Sequence, residues 1–258
     1  MNILLTGSLH TLFMTISYLQ IVVHMVLIKI KVPPNASIFF GALLSVAAFD
    51  ALPTDDVYNY IFDINDEPIS ENFKELGYET RQFMYNTGSL SFVMLLFPPF
   101  ILMIFIFSLM PCKSVKKYGR KQKKKMFFSR IFMFFEESYM ILATSLCINL
   151  TNMVWVHEKT ARAFGTNINT VITGVFAVVL IGLPIGIAVF YSCYFKKLTE
   201  SRRINQKYGA FINNLNVAGM DKLVILYPVL GQVRKMILAF TVVYLQDLPN
   251  FSIFSINF

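Results

Sequence analysis

Two stretches of this chain, Gly88–Met110 and Thr170–Tyr191, contain no Asp, Glu, Lys, Arg or His. A helix needs roughly 20 apolar residues to cover the hydrocarbon of a bilayer, and these runs have that length. Three further runs come close, which gives candidate spans at about 8–30, 88–110, 131–155, 170–195 and 223–246. The rest of the composition agrees. Hydrophobic residues make up 55% of the chain and charged residues 15%, too little polar surface to cover a soluble core of this size. Backbone polar groups in lipid must be satisfied internally, which leaves helices or closed barrels. No ten-residue alternating pattern marks a barrel. The expected fold is all-α, a polytopic bundle of about five transmembrane helices forming one domain over 1–258. The N-terminus lacks a basic leader and a cleavage site, so it reads as a first span, with a signal-anchor as the alternative.

Charge distribution orients such a bundle. Residues 32–87 carry nine acids (Asp50, Asp55, Asp56, Asp63, Asp66, Glu67, Glu71, Glu75, Glu79) against Lys74 and Arg81. The segment KSVKKYGRKQKKKMFFSR carries nine bases and no acid, and 196–222 adds six more bases. Basic loops stay on the cytoplasmic side, which places 111–130 and 196–222 inside and the acidic loop outside or in a lumen, in the plasma membrane or an endomembrane. Lys29 and Lys31 violate the rule mildly. N-x-S/T acceptor patterns at Asn35, Asn149 and Asn250 fall on or near the outer side. Asn35 is the glycosylation candidate, since the other two sit too close to the membrane.

The loops carry little further chemistry. The basic loop 111–130 lacks base-reading residues and a nucleic-acid-binding module, so its expected partner is anionic inner-leaflet lipid rather than nucleic acid. Cys112 beside it is a palmitoylation candidate or an unmodified boundary cysteine. Residues 38–48 are too few to span and read as a short interfacial helix. The acids of the outer loop form either an ordinary solvated loop or a vestibule that attracts cations. No P-loop, GxSxG, HExxH or dinucleotide fingerprint occurs, and His10, His24 and His157 are scattered. His10 and His24 stand about 20 Å apart at helical rise. The chain is therefore expected to be no enzyme and to need no metal or cofactor.

Charge inside the spans is the main anomaly. IFMFFEESYMILA, residues 131–143, sets Glu136 and Glu137 in a greasy run. At helical spacing Glu137 heads a stripe through Ile141 to Thr144, Ser145, Asn149 and Asn152, with Phe, Leu, Ile and Met opposite. The stripe should face the bundle interior, as helix-to-helix glue or as part of a path. Arg234 and Lys235 lie well inside the fifth run, where Pro228 and Gly231 predict a bent or interfacial start. The expected solution is a charge pair between Glu136 or Glu137 and Arg234 or Lys235, because isolated charges at depth cost at least ~2.5 kcal/mol each. In the fourth span Gly182 and Gly186 permit close helix approach and Pro184 a kink or hinge, and Pro98-Pro99 should bend the second span.

NFKELGYETRQFMYNTGSL, FFEESYMILATSLCINL, KYGAFINNL and LYPVLGQVRKMILA together resemble the C-terminal membrane region of large ciliate surface proteins with cysteine-rich or EGF-like ectodomains. More distantly, the chain is similar to fungal TRP-like membrane proteins. The resemblance covers about residues 35–245. It implies a multi-pass, channel-like or transport-related module, and further C-terminal helices that the family carries beyond the point where this chain stops. Two functions follow as expectations. One is a TRP-like channel or transport module, alone or as part of a homo-oligomer or larger membrane assembly. The other is a non-conducting anchor or signalling and adhesion part, in which the buried charges only hold helices together.

Overall fold

The computed structural model describes residues 15, 18–27, 33–47, 54–61, 68–75, 77–125, 131–153, 155–157, 161–200 and 226–245. Every regular element among them is helical. The segment 18–24 (α1) closes in a 3-10 turn, Met25–Leu27. Then come α2 (Pro34–Ala47), α3 (Asp55–Ile61), α4 (Glu71–Glu75) and α5 (Phe83–Thr87). The long elements are α6 (Ser89–Leu109), α7 (Lys113–Lys125), α8 (Ile131–Leu150), α9 (Ala161–Glu200) and α10 (Leu226–Tyr244). Two of them, Ser89–Leu109 and Ala163–Tyr194, are long and apolar enough to cross a membrane.

The helix bounds depart from the sequence reading in ways local chemistry explains. Of the basic segment 111–130, residues 113–125 are not an open loop: their Lys, Arg and Gln residues are good helix formers, and they build α7. The third run stops at Leu150 rather than near 155. There the Thr151 hydroxyl donates to the Ile148 carbonyl and the Asn152 amide to that of Asn149, so local bonds replace the helical ladder. The fourth runs from Ala161 to Glu200 instead of 170–195, about 60 Å at helical rise. The fifth is helical over Leu226–Tyr244; residues 223–225, the expected start of that run, lie outside the described residues. Pro228 falls in its first turn, where no amide donor is needed. Pro98 and Pro99 lie within α6 and Pro184 within α9, and helix continues on both sides of each.

The chain divides into two compact units. One comprises Met1–Ser91, Glu137–Ile181 and Val233–Phe258; the other comprises Phe92–Glu136 and Gly182–Gln232. In the first unit α8 is the central element, with every residue from Glu137 to Asn149 buried. Both the polar stripe and the apolar side of α8 are therefore covered. Tyr139 donates to Met236 Sδ at 3.1 Å and Tyr244 to the Cys147 carbonyl at 3.3 Å. Both contacts join residues 97 apart in sequence, so α8 and α10 run parallel and in constant register. Parallel neighbours need a return between them, which α9 has the length to supply.

The described part of the acidic segment folds onto the same core. Asp56, Glu71, Glu75 and Glu79 are exposed, while Phe73, Tyr78, Thr80, Gln82, Phe83 and Met84 are buried. The loop is thus solvated only on its acidic side. Asp50, Asp63, Asp66 and Glu67 lie outside the described residues, as do His10, Lys29, Lys31, Asn250 and the basic run 201–222. α2 is the expected short helix, and it leaves Ile38 and Phe39 exposed. Asn35 is exposed in its first turn.

Candidate functional site

The site is a column of buried polar side chains around α8. Its upper part begins with Gln20 and His24, four residues apart and thus on one face of α1, both buried. His24 Nδ1 lies 2.6 Å from the Gln20 carbonyl. A carbonyl only accepts, so Nδ1 carries the proton and Nε2 is the acceptor. Tyr78 fills that role, donating its hydroxyl to Nε2 at 2.6 Å. The Thr144 hydroxyl stands beside the Tyr78 oxygen and bonds the Met140 carbonyl at 3.0 Å. Burial pushes the Tyr78 hydroxyl above its ordinary value of 10.0, which keeps it neutral and a donor.

A local backbone device delivers Tyr78. The helix α4 ends with the Tyr78 amide bonded to the Phe73 carbonyl at 2.9 Å and the Gly77 amide to that of Lys74 at 3.0 Å. This 6→1 and 5→2 pair is a Schellman cap, and it needs a left-handed residue at its C′ position. Gly77 supplies it with φ 78°. Three residues later the Arg81 carbonyl accepts from Asn149 Nδ2 at 2.7 Å. The Met84 amide then donates to Asn169 Oδ1 at 2.9 Å, an amide at the start of a helix that has no intrahelical acceptor.

Of the stripe, Glu137, Thr144, Ser145 and Asn149 are all buried. Asn152 stands apart from them, beyond the helix end and half-buried. Ser145 Oγ and Asn149 Oδ1 are sealed from solvent and accept no hydrogen bond from the protein.

Lower in the column, Glu137 and Lys235 are each 8% exposed, and both are engaged in interactions. The 97-residue register sets Glu137 level with Arg234 and Ser138 level with Lys235. Arg234 is exposed, so Lys235 is the basic residue that the fold turns inward. Glu136 is half-buried and belongs to the second unit.

The remaining expected sites lie elsewhere. Cys112 is exposed at the turn between α6 and α7. A β-carbon at Gly182 or Gly186 would meet nothing within 4 Å, so these glycines do not provide close packing against another described part of the chain. Pro184 between them is buried. Among the described residues no group of His, Cys, Asp and Glu is placed to hold a metal.

Sequence reasoning missed Gln20, Tyr78 and Asn169. The i, i+4 spacing of Gln20 and His24 in an apolar run was a usable signal. Tyr78 and Asn169 gave none, since their partners are 54 and 85 residues away. Comparison with protein-family models, curated proteins and solved structures yields no match.

Proposed function

We propose that the chain is a multi-pass membrane module whose buried polar column forms part of a path or gate for ions or small polar solutes. The observation that carries the membrane reading is the inversion of its polarity. Gln20, His24, Glu137, Ser145, Asn149, Asn169, Thr173 and Lys235 are buried, while Val178 is 74% and Leu102 59% exposed. Soluble proteins do not leave such apolar helix faces open to water. Lipid-exposed bundles turn polar groups inward, where they find partners. The parallel course of α8 and α10 suits a topology in which the third and fifth of five spans both run outward from the basic, cytoplasmic side.

The path reading rests on Ser145 and Asn149, whose unsatisfied buried oxygens are places where water binds. At the lower end Glu137 pairs with Lys235, sharpening the expected charge pair to one acid and one base. Resemblance to the ciliate and TRP-like membrane regions supports a transport-related role in a larger assembly.

A second reading, a non-conducting anchor, draws on a different observation. His24, Tyr78, Asn149, Asn169 and Tyr139 bond one another or backbone carbonyls and amides within the chain. Such bonds hold helices together without conducting anything.

Ion flux through reconstituted protein separates the two. The path reading expects flux in wild type that changes with Glu137→Gln and Ser145→Ala. No flux from the intact assembly in a bilayer leaves the anchor reading standing.

A further inference from the structure

The basic helix α7 is fastened to the end of a span at its midpoint. Gly119 is buried, and a β-carbon there would stand 2.7 Å from the Ser108 backbone nitrogen and 2.8 Å from the Phe107 carbonyl carbon. Only a glycine admits that approach. Phe107 and Ser108 lie in the last turn of α6, which ends at Leu109, and the chain reverses through Met110, Pro111 and Cys112. Gly119 has six residues of α7 on either side. Each end is therefore about 9 Å along the axis from the contact point.

Eight of the thirteen residues of α7 are Lys or Arg and none is acidic. Val115, Lys116 and Gly119 face inward to some degree, while Lys113, Ser114, Lys117 and Tyr118 are exposed. Whatever angle α7 makes with α6, its axis stays within roughly 10 Å of the contact point, about one Debye length at moderate ionic strength. A helix held there by a flexible loop would drift out of range; one pinned at its centre does not.

We infer that α7 is an anionic-lipid-binding bar, clamped by Gly119 at the level where the hydrocarbon ends, and that its ligand is the headgroup phosphate and carboxylate of the bilayer that α6 crosses. This rests on the reading of α6 as a span. The occupant follows from position and charge together. The first polar matter beyond the end of α6 is the headgroup layer, and a run of eight bases without an acid complements an anionic surface. A topology signal alone requires neither a helix nor a clamp.

The test uses the full chain reconstituted in mixed phosphatidylcholine and phosphatidylserine vesicles. Flotation with the vesicles after alkaline washing establishes integration; a chain that does not float overturns the span reading and this inference with it. For the integrated chain, mass spectrometry of the retained lipid gives the ratio of serine to choline headgroups. The expected result is enrichment in phosphatidylserine that falls at least about fivefold, roughly what one base contributes at an anionic surface, in a Lys113→Gln, Lys117→Gln, Lys121→Gln, Lys124→Gln variant. Gln is also a good helix former, so the helix persists. Gly119→Leu keeps every charge but displaces the helix, and it should lower the enrichment too. Unchanged enrichment in the fourfold variant of a floating chain overturns the inference while the span reading stands. Unchanged enrichment in Gly119→Leu overturns the clamp.

Discussion

The Tyr78 hydroxyl meets the imidazole of His24 at 2.6 Å, across 54 residues of chain and between two buried side chains. The contact ties the acidic segment to α1 at a point where neither partner reaches water. Tyr78→Phe leaves His24 Nε2 buried without a donor and should cost about 1–3 kcal/mol. His24→Leu should cost a similar amount. If the contact matters as a pair, the double variant costs less than the sum, with a coupling of at least about 0.5 kcal/mol. Denaturant unfolding in detergent micelles measures all three.

The same hydroxyl sets an alkaline limit. Its acidity in the fold is pushed above the ordinary value of 10.0 by burial. Above pH 10.0 the unfolded chain releases this proton while the folded chain keeps it. The unfolded state then binds fewer protons, and stability falls as pH rises. Below pH 10.0 both states hold the proton and the group contributes no slope. Thermal unfolding of wild type should decline more steeply above pH 10.0 than that of Tyr78→Phe; equal slopes would show that Tyr78 ionises freely in the fold.

Lys235 and Arg234 are adjacent in sequence and opposite in burial. If the proposed Glu137–Lys235 pair forms, Lys235→Gln should destabilise by more than about 1 kcal/mol, because it leaves the Glu137 charge uncompensated. Arg234→Gln should cost less than Lys235→Gln, because Arg234 is exposed. A Glu137→Gln, Lys235→Gln double variant that recovers most of the single loss supports the pairing. The reverse ranking of the two basic residues would sink it.

Gly77→Ala tests the cap that aims Tyr78. Space is not limiting, since nothing lies within 4 Å of the added carbon, but φ is 78°. The expected cost is about 1–2 kcal/mol, with Gly77→Asn milder because Asn tolerates the left-handed region. Equal stability of all three forms, measured by chemical unfolding, would remove the turn from the account.

Gly165 makes a close approach in the first unit: a β-carbon there would press into the Ile61 carbonyl oxygen. Gly165→Ala must push α3 away from α9, and overpacking of this kind costs about 1–3 kcal/mol. Amide exchange over residues 55–61 should rise in that variant and not in Gly174→Ala, where the added carbon meets nothing.

The elements were largely legible where one periodic signal dominates. The uncharged run 88–110 became Ser89–Leu109 almost residue for residue, since a Gly and a Pro-Cys turn bracket it. Legibility failed where a segment's state depends on what lies beside it. The basic stretch read as a loop because charge repels burial, yet it needs only helix-forming side chains and one glycine to dock. The acidic segment read as solvated because its charges outnumber its aromatics, yet Phe73, Tyr78 and Phe83 are what it buries. Glu137, Thr144, Ser145 and Asn149 were recognisable as one inward face from their spacing on one helix, and all four are buried. Gln20, Tyr78 and Asn169 were not, because hydrogen bonds between distant segments leave no periodic trace.

The sequence by itself determined the class of the chain: helical, with two apolar runs long enough to cross a membrane, and with charge gathered between the apolar runs. Those properties follow from local propensity and transfer free energy, which are sums over residues. The tertiary structure alone decided that Lys235 rather than Arg234 turns inward, that α8 is covered on both faces, and that Tyr78 rather than a second histidine partners His24. Each of these depends on which surfaces meet, in what register and at what distance. A constant 97-residue register between α8 and α10 is a property of packing, and no residue carries it alone.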